Sequence, residues 1–177
     1  MTGVVPTGWP AGATITSARL VLRPVAVAHA EPMAEVLADA SLYEFTGGEP
    51  PTAAQLRERY ERWQRPTSPD GTEGWLNWIV FRRADDIAVG TVQATITADC
   101  AELAWVIGVA FQRNGFATEA AVAMADWLAA AGFPARRAHV AIGHTGSERV
   151  AAALGMTPTD LLVEGERRWE LRDTQVC

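Results

Sequence analysis

The chain contains no lysine: all 15 of its basic residues are arginine. That excludes a Schiff-base lysine mechanism and a phosphate loop ending in Gly-Lys-Ser/Thr. Cysteine is almost absent, with only Cys100 and Cys177, far apart. There is thus no CxxC pair and no metal-ligand spacing, and a reduced, cytoplasmic setting is expected. The histidines His29, His139 and His144 show no metal spacing either, so no metal is expected, and His29 and His139 default to surface or strand roles. Long apolar runs are also missing. The most apolar helical stretch, "AAVAMADWLAAAGF", is interrupted by Asp126 and is too short to span a bilayer. The opening "MTGVVPTGWPAGAT" lacks a basic segment before an apolar core, so it does not read as a signal peptide, and no membrane association is expected. Positive charge is scarce as well: the net charge is -6 and the pI near 5.1. This argues against a nucleic-acid partner and favours cations such as protonated amines.

What is present reads as one α/β unit, since 177 residues suit a single core. Residues 1–15 are expected to form a flexible lead-in and residues 16–177 a single domain. "RLVLRPV" alternates as a strand and is ended by Pro24; "HAEPMAEVLAD" has helical spacing. Thr52 can cap a second helix that places Leu56, Tyr60 and Trp63 on one face. The other face carries Arg57, Glu58, Glu61, Arg62 and Arg65, expected to pair with one another at i,i+4. Three strand-like runs follow, "WLNWIVFRR", "IAVGTVQATIT" and "AELAWVIGV", the first two joined tightly at Ala84-Asp85-Asp86. The helix "TEAAVAMADWLAAAG", the strand "RRAHVAI", the helix "SERVAAAL" and a hairpin around Glu164-Gly165 complete the chain.

The junction "FQRNGFATEA" lies between an apolar strand and a long helix. Successive N–H groups at a helix N-terminus, aligned with the helix dipole, favour an anion there. Gly115 and Ala117 are small enough to let a phosphate approach the main chain, whereas Glu119 opposes it unless the carboxylate caps the helix. The turn has neither GxGxxG nor a Walker-type pattern. Taken alone it reads equally as a structural turn.

In context the sequence resembles the GNAT acetyltransferase superfamily, and within it the branch of ribosomal-protein N-terminal acetyltransferases. The superfamily's Gln/Arg-x-x-Gly-x-Gly/Ala turn is matched by Gln112, Gly115 and Ala117, and "ELAWVIGVAFQRNGFATEA" is similar to the branch's longer signature. "TSARLVLRP", "AVGTVQATI" and "HTGSERVAAALGM" resemble further branch segments in the same order. The resemblance implies a mixed, mostly antiparallel α/β (α+β) sheet with helices on both faces and a V-shaped cleft, where "RRAHVAI" splays from "AELAWVI". It implies acetyl-CoA as co-substrate, its pyrophosphate held around Gln112, Arg113, Asn114, Gly115, Phe116, Ala117 and Thr118. Main-chain groups near Ile107, Gly108 and Val109 would hold the pantetheine arm. His144 stands where the branch usually has an Asn that contacts that arm.

Direct acetyl transfer needs a neutral amine. An α-amine, with a pKa of about 8, meets that requirement near neutrality more readily than a lysine at about 10.4. Glu102 matches the branch's glutamate and is the candidate base or water-organising carboxylate; the alternative is a rim carboxylate paired with an arginine. Ser147 matches the branch serine, as a helix cap or as a hydroxyl contact to the cofactor. Where many related enzymes have a tyrosine acid, this chain has Ala151. Trp75, Trp78 and Trp105 default to the core, and alternation puts Glu102 and Trp105 on opposite faces. The loop Tyr43–Pro51, with Gly47-Gly48, is either an acceptor-side wall or a plain connection. The acceptor implied is a primary amine, by preference a peptide or protein N-terminus, with an antibiotic or metabolite amine as the alternative. Exposed strand edges allow a homodimer. A non-catalytic acyl-CoA binder and an unrelated anion-binding domain are the competing classes.

Overall fold

The structure is a computed structural model that describes residues 8–171. Eight strands form one sheet in the order β1-β2-β3-β4-β5-β6-β8-β7. They are β1 (Ile15–Thr16), β2 (Leu20–Pro24), β3 (Gly74–Arg82), β4 (Ile87–Ile96), β5 (Ala101–Ile107), β6 (Arg136–Ala141), β7 (Thr157–Val163) and β8 (Glu166–Leu171). Four helices accompany it: α1 (Ala30–Val36), α2 (Ala53–Trp63), α3 (Phe116–Ala130) and α4 (Thr145–Ala153). The α/β fold with a mostly antiparallel sheet is therefore as expected.

Two cores lie on opposite faces of the sheet. Leu20, Leu22, Trp78, Val80, Val92 and Leu103 pack under α3 residues Ala120, Ala121, Met124 and Leu128. On the other face Ile79, Phe81 and Ala88 meet Met33 of α1 and Leu56 and Tyr60 of α2. Small alanines let α3 lie close to the strands, as its alanine-rich sequence requires. Helix α2 starts where expected, with Thr52 and Gln55 forming a reciprocal capping box.

Every neighbouring pair of strands is antiparallel except β5 and β6, which are parallel. That pair is joined only at Ala101↔Arg136 and Glu102↔Arg137. Beyond Glu102 the two strands lose their pairing, leaving the outer edge of β5 open. This is the expected splay, and Glu102 stands at its vertex.

Three expectations need correction. Trp9 donates to the Gly71 carbonyl and lies against Phe133, and Trp78 donates to the Ala13 carbonyl at 2.8 Å. Residues 8–15 are thus tied to the domain rather than a loose lead-in; residues 1–7 lie outside the described residues. Among the described residues the charged face of α2 shows no ion pair along itself: Arg57 bridges to Glu31 of α1, because the two helices pack side by side. Helix α3 begins at Phe116 rather than Thr118, since Gly115 in the left-handed region (φ 77°) starts the helix two residues earlier.

Candidate active site

The turn after β5 is built from a short 3-10 segment, Val109–Phe111, and then residues 112–115. Arg113 (φ 62°) and Gly115 (φ 77°) are both left-handed, with Asn114 between them. Such alternation turns successive N–H groups toward one concave side, the geometry of an anion nest. Among the described residues, none accepts a hydrogen bond from the amides of Arg113, Asn114, Gly115, Phe116, Ala117 or Thr118; the first amide of α3 with a partner is Glu119, bonded to the Gly115 carbonyl.

Side chains hold this turn in shape. Asn114 Nδ2 donates to the Phe111 and Gln112 carbonyls at 3.0 and 3.1 Å, and Gln112 Nε2 donates to the Ile107 carbonyl at 3.0 Å. The Asn114 side chain thus helps to shape the turn whose main-chain amides face outward. At Gly108 the amide donates to the Val89 carbonyl and is occupied, while the carbonyl accepts from the Phe111 amide and keeps a second lone pair. The residue's glycine identity answers to packing: a Cβ there would lie 2.7 Å from the Val36 carbonyl oxygen. Strand alternation instead directs the main-chain groups of Leu103, Trp105 and Ile107 to the open edge of β5, opposite the groups paired with β4. Val109 lies just beyond that edge, exposed.

Glu119 does not cap α3. Its carboxylate accepts from the Ser17 hydroxyl and the Arg19 amide, both at 2.7 Å, and from Arg19 Nε at 2.7 Å. Burial pushes the Glu119 carboxyl up, but these hydrogen bonds and the Arg19 charge hold it below the usual carboxylate value. The charge that opposed an anion is thus neutralised from the β1–β2 corner, a long-range contact that α3's own sequence could not reveal.

At the vertex of the splay, Arg137 Nε donates to Glu102 Oε2 at 2.8 Å, and His139 Nδ1 lies 3.3 Å from Oε1. Glu102 is partly exposed on the face of β5 shared with exposed Ala104 and Val106. Trp105, on the opposite face, packs against the α3 core. The expected separation of Glu102 and Trp105 therefore holds, with Glu102 on the face of β5 away from α3. Burial works against the Arg137 charge, but the Glu102 bond and nearby acidic groups keep its pKa above the ordinary arginine value. Both Arg137 and His139 were missed by sequence reasoning. Only the β5/β6 register brings them to Glu102, and a parallel crossover leaves no local signal of register.

Helix α4 begins at Thr145, and its N-cap is His144, whose Nδ1 accepts from the Ser147 amide at 3.3 Å. Ser147 is therefore inside the first turn and is not the cap. That bond assigns the His144 ring proton to Nε2. The Phe45 ring lies 4.5 Å from the His144 ring, so the loop after the Ala40–Tyr43 turn touches the start of α4. Ala151 is fully buried. A recess of about 830 Å³ between β1 and the outer side of α3 is lined by Gly115 and Thr118 but also by Glu119 and Asp126. It includes neither Glu102 nor the β5 edge, and free donors rather than size decide where an anion sits. Among the described residues no cluster of metal-ligating side chains occurs, and no helix is long and apolar enough to cross a membrane.

No curated protein sequence matches the chain significantly. Its fold is similar to that of a GNAT-family acetyltransferase from Bacillus anthracis, at 18% identity and TM-score 0.74, over 90% of this chain and 98% of that one. It is similar also to RimL, a ribosomal L7/L12 alpha-N-protein acetyltransferase solved with coenzyme A, at 15% identity and TM-score 0.74, over 90% and 98%. A third similar structure is the microcin C7 self-immunity acetyltransferase MccE with acetyl-CoA and AMP, at 13% identity and TM-score 0.73, over 89% and 94%. At these identities the likeness is one of fold. The family model of the GNAT acetyltransferase domain, however, matches residues 19–157 in the sequence itself. The splayed sheet, the amide-lined turn and that match agree, and the chain belongs to the GNAT acetyltransferase family.

Proposed function

We propose that the chain from Gly8 onward forms one cytoplasmic N-acetyltransferase domain that transfers an acetyl group from acetyl-CoA directly to a primary amine, by preference a peptide or protein N-terminal α-amine. The carrying observation is the row of unpartnered amides from Arg113 to Thr118, at the end of an open β5 edge with Glu102 at its vertex. These residues fit a pyrophosphate: the donors converge, and Gly115 has no side chain to fill the nest. The Ile107 main chain, with Val109 beside it, would take the pantetheine arm. The Ser147 hydroxyl, unpaired among the described residues, and His144 Nε2 would offer polar contacts near it.

Acetyl-CoA supplies the acetyl group as a thioester, whose C–S bond breaks as the new N–C bond forms. Glu102 takes one proton from the acceptor ammonium, directly or through one water, and passes it to solvent; the second proton, lost from the nitrogen as the amide forms, goes through water to the departing CoA thiolate. Arg137 keeps that carboxylate oriented, and His139 closes its other side. A buried Ala151 supplies no acid; a thiol with a pKa of about 8.5 leaves without one. The acceptor preference rests on the amine pKa argument, on the branch resemblance and on the fold shared with RimL.

The test is release of free CoA thiol on mixing the protein with acetyl-CoA and a panel of N-terminal peptides, lysine side-chain peptides, aminoglycosides and small amines. Turnover with α-amine peptides is expected, together with its loss in Glu102→Gln at undiminished CoA binding. Turnover confined to small amines would move the acceptor to that class. CoA binding without turnover on any amine would make the protein a sensor instead.

A further inference from the structure

Arg19, at the foot of β2, makes four contacts with a turn 95 or more residues away. Its Nε donates to Glu119 Oε2 and its backbone amide to Glu119 Oε1, both at 2.7 Å. Nη1 donates to the Asn114 carbonyl at 2.9 Å, and the guanidinium lies 4.9 Å over the Phe116 ring. Ser17 from the same corner also binds Glu119. Across a trans peptide the C=O and the next N–H point in opposite directions. Holding the Asn114 carbonyl toward Arg19 therefore points the Gly115 N–H away from it. By the same rule Asn114 Nδ2, on the Gln112 carbonyl, orients the Arg113 N–H.

We propose that Arg19 is a positioning residue for cofactor binding: it fixes the Asn114–Gly115 peptide so that its N–H joins the nest, and it cancels the Glu119 charge beside that nest. The inference rests on the proposed function, because it takes the nest's ligand to be the CoA pyrophosphate. Arg19 need not touch the ligand to do this. The arrangement also explains how an acidic residue is tolerated in the first turn of an anion-binding helix, where like charge is otherwise unfavourable. A lysine would not substitute, because only a planar fork can serve a carboxylate, a carbonyl and a ring face together.

The experiment compares wild type, Arg19→Gln, Arg19→Lys, Glu119→Gln and the Arg19→Gln/Glu119→Gln double variant by CoA titration calorimetry and by steady-state kinetics. In Arg19→Gln, CoA affinity is expected to fall about tenfold, the loss of one charge-assisted hydrogen bond. The KM for acetyl-CoA should rise by a similar factor while kcat changes little, and the loss should shrink at high salt. The double variant should bind CoA more tightly than Arg19→Gln, because no bare carboxylate remains beside the nest. Arg19→Lys should fall between wild type and Arg19→Gln. A double variant that binds no better than Arg19→Gln, or a fall in kcat at unchanged KM, overturns the proposal. Should Arg19→Gln fail to fold, Arg19→Lys decides, and wild-type affinity in that variant overturns it. Wild type failing to bind CoA overturns the proposed function and this inference together, whereas wild type binding CoA as tightly as Arg19→Gln overturns the inference alone.

Discussion

Adding a side chain at Gly115 tests the turn most directly. The residue sits at φ +77°, where an L-residue costs about 1–2 kcal/mol. A Cβ there would meet only the end of the flexible Arg19 side chain, at 3.4 Å. Gly115→Ala should therefore lower the melting temperature by about 2–8 °C, at roughly 2–4 °C per kcal/mol for a chain of this size. Its effect on CoA should be larger, because the new Cβ and a relaxed φ both disturb the converging donors. Losing two charge-assisted bonds, at about 1.5–3 kcal/mol each, weakens binding by roughly a hundredfold or more; Gly115→Val should be worse. Gly132 supplies the control. It lies past the other end of α3 with φ +97° and nothing within 4 Å of its Cβ position. Gly132→Ala should carry a similar strain with CoA affinity unchanged. Calorimetry with CoA and thermal unfolding without it separate the two effects. If Gly115→Val binds CoA like wild type, or if Gly132→Ala weakens binding as much as Gly115→Ala, the nest is not the site.

Two further outcomes are expected. The Glu119 carboxyl is depressed in the folded state, so its contribution to stability is present above its unfolded pKa of about 4.3 and is lost as pH falls through the lower folded value. In urea titrations the gap between wild type and Glu119→Gln should accordingly be full at pH 7 and close only below about pH 4.3; an equal gap at both ends would refute the assignment. Tyr60 is 1% exposed, and its hydroxyl has no hydrogen-bond partner among the described residues. Burial pushes its phenol up to about 12. The folded protein thus holds this proton more tightly, and stability should fall as pH rises from about 10, with the last tyrosinate absorbance appearing near the folded value. Tyr60→Phe should be neutral or stabilising, by up to about 1 kcal/mol, and a clear loss of stability would show a partner for the hydroxyl.

Much of the fold was legible because its signals are local. Thr52 and Gln55 cap α2 through residues three apart, Asp85-Asp86 close the β3–β4 hairpin, and the alanine face of α3 has helical spacing. The candidate turn was legible for a related reason: Gln112, Gly115 and Ala117 act through the chain that carries them. The roles of single side chains were less so. Ser147 looked like a cap until His144 occupied that position three residues before it. Glu119 looked like a cap as well, but a carboxylate bonds whichever donors the fold brings near, and here they come from Ser17 and Arg19.

The sequence by itself determined the elements, their order, the anion-friendly turn and the family resemblance, since hydrophobic periodicity, capping and glycine placement act within a few residues. Only the tertiary structure decided which charges meet. The β5/β6 register brings Arg137 and His139 to Glu102, and the β1–β2 corner brings Arg19 to Glu119 and Asn114. Those contacts join residues 35 to 100 positions apart. Their geometry follows from how strands and helices pack, which no short stretch of the chain encodes.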